Sequence, residues 1–228
     1  MDKISFVIPC FNNEENIDDL FNELLENEKQ FSGVQFEYIM IDDAAEDKTF
    51  EVLNKWQKKI SEKLQLIKLQ KNIGSHKAVF KGLSSASGNC VVVMASDLQD
   101  PPQLTKQMFE EWKKGNKLVV AVKENMNPSI SSNIFHFLMR ILFVKRAPQH
   151  AFDYVLFDKS LLLDLLKPSV KNCNLFYRLI EIQPQFSEIH YIKQQRIKGK
   201  SGWTFSKKFY FFIENIFMYS VSKLGIVN

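Results

Sequence analysis

Asp97, Gln99 and Asp100 follow directly on the apolar run of "VVVMASDLQDPP", Val91–Pro102. Carboxylate and amide oxygens grouped this closely suit a hard divalent cation, magnesium or manganese, of the kind that also takes oxygens from a substrate's phosphates. Three more polar clusters, "PCFNNEE", "DDAAEDKT" and "QKNIGSHKA", each end an apolar run, and "KQQRIKGKSGWTFSKK", Lys193–Lys208, is rich in Lys and Arg. Carboxylates in one place and a basic run in another fit a phosphorylated, metal-bound ligand. Other chemistries find no support. His76, His136, His150 and His190 are scattered, Cys10, Cys90 and Cys173 are odd in number and far apart, and neither usual glycine-rich phosphate loop is present.

These residues need a scaffold that gathers them. Through the first half, β-type runs ("ISFVIP", "FEYIMID", "LQLIKL", "CVVVMA", "KLVVAV") alternate with amphipathic helical stretches. Continuous apolar strands separated by such helices predict an α/β fold with a mostly parallel sheet covered on both faces. Ligands of such sheets collect at the carboxyl ends of the strands, where all four polar clusters then fall. Taken singly, Asn13, Asp47 or Lys48, and Asn72 also suit helix caps.

The second half is less regular. "SISSNIFHFLMRILFVKR" predicts a helix with a wide apolar surface, "FDYVLFD" and "KSLLLDLL" predict a strand and a helix, and residues 203–228 predict an amphipathic C-terminal helix rich in Phe and Tyr. None offers the uninterrupted apolar length, about 18 to 20 residues, of a membrane span. The division expected is a domain over 1–202 and the helix over 203–228, the latter packed on the core or lying in a membrane interface. At 228 residues, with 45% hydrophobic and 25% charged residues, the chain has room for one sizeable domain. A net charge of +4 gives no reason to invoke a nucleic acid. "MDKISFVIPC" reads as a strand and not a signal peptide, and the cysteine usage suits a reducing cytoplasm.

Six segments in order, "FVIPCFNNEENI", "IDDAAEDKT", "KNIGSHKAVFKGLSSASGN", "VVVMASDLQDPP", "FDYVLFD" and "RIKGKSGWTFSKK", resemble family 2 glycosyltransferases of the GT-A fold. The closer resemblance is to the branch of dolichyl-phosphate mannose synthase and bacterial polyprenyl-phosphate glycosyltransferases. It implies that Pro9, Phe11 and Glu14 line the nucleotide base, that Asp42 and Asp43 contact base or ribose, and that Asn72 and Gly74 turn beside the nucleotide. Asp97 and Gln99 would hold the metal at the diphosphate, where the family's first acidic position is Ala95; Asp100 is an additional carboxylate nearby. Ala45 stands where relatives carry a serine, with Asp47 and Thr49 kept as helix-cap residues. Arg196, Lys198, Lys200 and Ser201 match the segment that closes over phosphates, and Lys123 and Ser132 match acceptor-phosphate positions. Asp153 matches an aspartate near the acceptor, a general base for a hydroxyl acceptor or an orienting group for a phosphate.

The activity implied is inverting sugar transfer from a UDP- or GDP-sugar to a polyprenyl phosphate or a lipid-linked saccharide, in bacterial surface polysaccharide synthesis. The protein would work in the cytoplasm, peripherally on the membrane's cytoplasmic face. Relatives often continue into transmembrane helices, so a truncation is the other expectation. Ala45 and Ala95 motivate one alternative, a catalytically weakened nucleotide-sugar binding or scaffold protein.

Overall fold

The computed structural model describes residues 1–124, 137–141, 144–148, 150, 152–167, 174–194 and 213. Strands β1 (Asp2–Cys10), β2 (Val34–Asp42), β3 (Leu64–Lys68), β4 (Cys90–Val93) and β5 (Leu118–Lys123) alternate with helices α1 (Glu14–Glu28), α2 (Thr49–Lys59), α3 (Ser75–Leu83) and α4 (Leu104–Lys113). Then come β6 (Tyr154–Asp158), a 3₁₀ turn (Lys159–Leu161), α5 (Leu162–Leu165), α6 (Leu175–Ile182) and β7 (Ser187–Tyr191). Pro101 and Pro102 form the turn before α4, their carbonyls accepting from Leu104 and Thr105. The run "KSLLLDLL" gives a 3₁₀ turn and a single α turn, started where the Asp158 carboxylate accepts from the Ser160 N–H at 2.9 Å.

All seven strands form one sheet in the order β3-β2-β1-β4-β6-β5-β7. Every pairing is parallel except those of β6, which runs antiparallel to β4 and β5. The chain builds outward from β1 to β3 and then returns to place β4 on the other side of β1. That reversal opens a crevice at the carboxyl ends of β1 and β4.

Both faces are covered because both carry apolar side chains. On one, Phe6, Ile8, Tyr38 and Met40 meet Ile17, Leu20, Phe21 and Leu24 of α1 and Leu53 and Trp56 of α2, with Phe21 stacked on Trp56 at 4.7 Å. The three- and four-residue spacing in α1 puts its four side chains on one stripe, and burying each contributes about 1.5–3 kcal/mol. On the other face, Val7, Ile39 and Ile41 meet Ala78, Val79 and Leu83 of α3. Here Gly82 permits the approach, since a Cβ would lie 2.6 Å from Ile41 Cδ1 and 2.7 Å from Val7 Cγ1.

Strand β7 and helix α6 have no counterpart in the sequence reading. Both are short, and β7 alternates exposed and buried residues next to the buried β5. Of the apolar helix predicted over 129–146, positions 137–141 are helical, with Phe137 and Ile141 exposed, whereas 144–146 are not helical and form a turn. The amphipathic helix predicted over 203–228 lies outside the described residues, apart from Ile213. Among the described residues no helix is long and apolar enough to cross a membrane.

Candidate active site

The loops after β1 and β2 are laced together by side chain to backbone hydrogen bonds. Asp47 accepts from the N–H groups of Thr49 (2.9 Å) and Glu14 (3.1 Å), and Glu14 Oε2 accepts from the Lys48 N–H at 2.8 Å. Thr49 Oγ1 accepts from the Asn13 N–H at 2.7 Å, and Asn12 Oδ1 from the Glu46 N–H at 2.8 Å. The bonds from Glu14, Lys48, Thr49 and Asn13 satisfy donors that the helix starts leave without an intrahelical partner, and the one from Glu46 ties the two loops. Glu14 therefore braces the second loop, while Pro9 and Phe11 stay partly exposed beside it.

Asp42 and Asp43 end β2 with different tasks. The Asp43 carboxylate is buried and clamps the next loop, accepting from the N–H groups of Ile73 (2.8 Å) and Gly74 (2.9 Å). Asn72 Oδ1 adds a bond from the same Gly74 N–H at 3.2 Å, and Gly74, at φ 87°, takes a left-handed conformation that favours glycine. Asp42 is fully buried; its Oδ1 accepts from the Ala45 N–H at 3.1 Å and its Oδ2 has no protein partner. Burial pushes its pKa up, with Asp47 adding to the rise against the Ala45 N–H and Lys68. A buried acceptor atom without a donor is uncommon in a folded chain and agrees with the raised pKa, since protonation removes the cost of an unpartnered charge.

The loop after β4 is pinned to the first. Asn13 Nδ2 donates to the Ser96 carbonyl at 2.7 Å, and Ser96 Oγ donates to the Pro9 carbonyl at 3.1 Å. Asp97 Oδ1 then accepts from the Gln99 N–H at 3.2 Å around Leu98, whose φ is 56°. This turn leaves Asp97 and Gln99 partly exposed, whereas Asp100 turns inward and is 2% exposed. The Gln194 N–H donates to the Gln99 carbonyl at 2.9 Å, so the chain passes this loop two residues before Arg196.

Asp97 and Gln99 make a short ligand set. Ala95 offers no oxygen, Asp100 is engaged elsewhere, and among the described residues no three His, Cys, Asp or Glu side chains converge as a metal site. One carboxylate and one amide oxygen still fit magnesium or manganese, which are commonly held by one or two protein groups plus substrate phosphates and water.

Asp153 reaches this edge because β6 is antiparallel, so its first residues lie at the carboxyl ends of β4 and β5. Its side chain is 48% exposed and forms an ion pair with Lys123. Burial opposes ionisation of Asp153, but Lys123, helped by Lys193, holds its pKa below the ordinary carboxylate range. Lys123 is itself 1% exposed and also lies 3.3 Å from Asp100, whose Oδ1 accepts from the Tyr191 hydroxyl at 2.6 Å. Burial and the Asp153 charge push Asp100 up to about 6. His76, at the start of α3, packs edge-on against Phe176 at 5.3 Å; burial drives its pKa down to about 4 against the pull of Asp153.

The structure thus brings Pro9, Phe11, Glu14, Asp42, Asp43, Asn72, Gly74, Asp97, Gln99 and Asp153 to one edge of the sheet. Lys123 is at that edge but is enclosed between two carboxylates, because β5 is buried along its whole length between β6 and β7. Ser132, Arg196, Lys198, Lys200 and Ser201 lie outside the described residues. Tyr191 and the inward turn of Asp100 escaped the sequence reading. A lysine closing an otherwise apolar strand was the available signal for a buried partner.

Residues 5–152 match the profile of Glycosyl transferase family 2, and the chain belongs to that family. It is a glycosyltransferase with the GT-A fold. It is 24% identical over 230 residues to the bactoprenol glucosyl transferase of Shigella phage SfV, a match covering 98% of this chain and 74% of the relative. Over 118 residues it is 32% identical to the dolichol-phosphate mannosyltransferase of Pyrococcus furiosus, covering 52% of this chain and 32% of that one. A similar solved fold is glucosyl-3-phosphoglycerate synthase from Mycobacterium tuberculosis in complex with Mn2+, UDP and glucosyl-3-phosphoglycerate. Its TM-score is 0.69 at 15% identity, over 100% of this chain and 81% of that one.

Proposed function

We propose that this glycosyltransferase moves a sugar, with inversion, from a nucleoside diphosphate sugar to a polyprenyl phosphate on the cytoplasmic face of a bacterial membrane, supplying surface polysaccharide synthesis. In this reading Pro9 and Phe11 flank the base, Asp42 shapes the floor beneath base or ribose, and Asp43 holds the Asn72–Gly74 turn beside the nucleotide. Asp97 and Gln99 would hold a divalent ion whose charge stabilises the departing diphosphate. Arg196, Lys198, Lys200 and Ser201, on the run that follows Gln194, add donors to phosphate, with Arg196 suited to bidentate contact.

The observation that carries the acceptor class is the ion pair of Asp153 with buried Lys123. A carboxylate so held stays ionised and is a weak base. A hydroxyl acceptor needs a proton removed by a group titrating near the working pH, whereas a phosphate arrives ionised and needs none. Asp153 then orients the acceptor or the sugar.

The test is transfer of label from UDP-glucose and GDP-mannose, with Mn2+, to undecaprenyl phosphate in detergent. Labelled lipid is expected, with Asp153→Asn slowing turnover less than about a hundredfold, since loss of a general base costs about 10²–10⁴-fold. Transfer to a lipid-linked saccharide and not to undecaprenyl phosphate, reduced to background by Asp153→Asn at saturating acceptor, would make Asp153 the base for a hydroxyl acceptor. Nucleotide binding with no transfer of either sugar would favour the scaffold reading motivated by Ala45 and Ala95.

A further inference from the structure

Among the described residues Lys123 is the largest charged side chain in the core, 1% exposed at the end of β5. Its ammonium pairs with Asp100 at 3.3 Å and with Asp153. Asp100 belongs to the loop that carries Asp97 and Gln99, and Asp153 immediately precedes β6. Tyr191, in register opposite Lys123 on β7, closes the set by donating to Asp100 at 2.6 Å. Four separate segments of the site therefore meet on one nitrogen and one carboxylate. Packing alone does not call for such a group, because a well-fitted apolar side chain fills a buried position at no desolvation cost.

The three partners differ in what they can reach. Lys123 and Asp100 are enclosed, so neither touches a ligand from solvent. Asp153 is 48% exposed, with its Oδ1 buried on the ammonium side. A single buried cation thus fixes one oxygen of a carboxylate whose remainder is open to the site. Through Asp100 the same cation ties that carboxylate to the loop expected to carry the diphosphate.

We propose that Lys123, backed by Asp100 and Tyr191, is a positioning residue: it holds Asp153 in the orientation used for the acceptor and links it to the Asp97–Gln99 loop, without touching the acceptor phosphate itself. The proposal rests on the reading of Asp153 as an acceptor-side group. It makes Lys123 act on turnover through Asp153, where a phosphate ligand would act on acceptor affinity.

Replacing Lys123 alone strands two carboxylates beside each other, so the informative variant removes the cation with its buried counter-charge. Four full-length proteins are compared: wild type, Asp153→Asn, the double variant Lys123→Met/Asp100→Asn, and the triple variant combining all three changes. In urea unfolding the Lys123/Asp100 pair and Asp153 are expected to be non-additive, as groups in direct contact are. Additive losses overturn the proposal, and this arm needs no substrate.

In transfer from UDP-glucose or GDP-mannose to undecaprenyl phosphate, the double variant should lower kcat about tenfold or more, the scale of a misplaced group. Its acceptor KM should stay within about threefold of wild type, and adding Asp153→Asn should cost less than about twofold more. Calorimetric binding of UDP or GDP with Mn2+ should change less than about threefold, because the donor groups remain. A tenfold rise in acceptor KM with kcat kept, a multiplicative effect of Asp153→Asn, or a tenfold loss of nucleotide affinity would each overturn it. Wild type that transfers to none of the probes overturns the functional reading, and the role in transfer with it, while the unfolding cycle still reports on the ion pair separately.

Discussion

Glu37 allows stability to be perturbed without touching the site. Its carboxylate sits on β2 away from the carboxyl edge of the sheet and gathers Lys3 Nζ at 2.6 Å, Ser87 N at 2.6 Å, Ser87 Oγ at 2.7 Å, Gly88 N at 3.2 Å and the Ser5 hydroxyl. Burial opposes its ionisation, but Lys3, Ser5 and Ser87 outweigh that and hold the pKa at about 2 against an ordinary 4.5. At about 1.4 kcal/mol per pH unit this represents about 3 kcal/mol, which solvent contact trims to about 2 kcal/mol. Since the folded-state value is depressed, the contribution is complete above pH 4.5 and is lost as pH falls from there towards 2. Glu37→Gln should cost about 2 kcal/mol at pH 7 in urea unfolding, or about 4–8 °C in Tm for a chain of this size. Between pH 7 and pH 3 wild type should lose about 1 kcal/mol more than the variant, and UDP affinity should be the same in both. Equal pH dependence of the two proteins would refute the reasoning, because the carboxylate would then carry no ion-specific stabilisation.

Asp43→Ala removes the acceptor of two backbone N–H groups and should destabilise the chain by about 3 kcal/mol, measured by thermal denaturation. Loss of the clamped Gly74 turn should also weaken UDP binding in calorimetry about tenfold, and unchanged affinity would separate that turn from the nucleotide. Ala95→Asp adds a third oxygen ligand beside Asp97 and Gln99 and should tighten Mn2+ binding in the presence of UDP about tenfold, while Asp97→Asn should weaken it by a similar factor. Both effects are read from the free Mn2+ signal in electron paramagnetic resonance; no change in either variant would take the metal away from this loop.

The alternation of apolar runs and amphipathic stretches was enough to place the first five strands and their helices, because a strand buried on both faces must be apolar at nearly every position. It also sorted the polar clusters onto one edge, since each follows the carboxyl end of a parallel strand. Three things were not legible. Strand β7 is short and half-exposed, so it lacks the continuous apolar signature of β1 or β5. The direction of β6 is invisible locally, because an apolar strand reads the same whether its neighbours run with it or against it. The burial of Lys123 and Asp100 was hidden because residue type alone makes both look like solvent-facing or ligand-facing charges.

Sequence by itself determined six of the sheet's seven strands, the family to which the chain belongs and the loops that bear the nucleotide-site residues, because these depend on local periodicity and on ordered motifs. Tertiary structure decided that Glu14 braces a loop, that Asp42 keeps one buried oxygen unpartnered, and that Lys123 answers to Asp100 and Asp153. The reason is that a charge's role is set by the groups within a few ångströms of it. Those groups come from α1, β2, β5, β7, the loop after β4 and the start of the β6 segment, whose spacing along the chain carries no record of their distance in space.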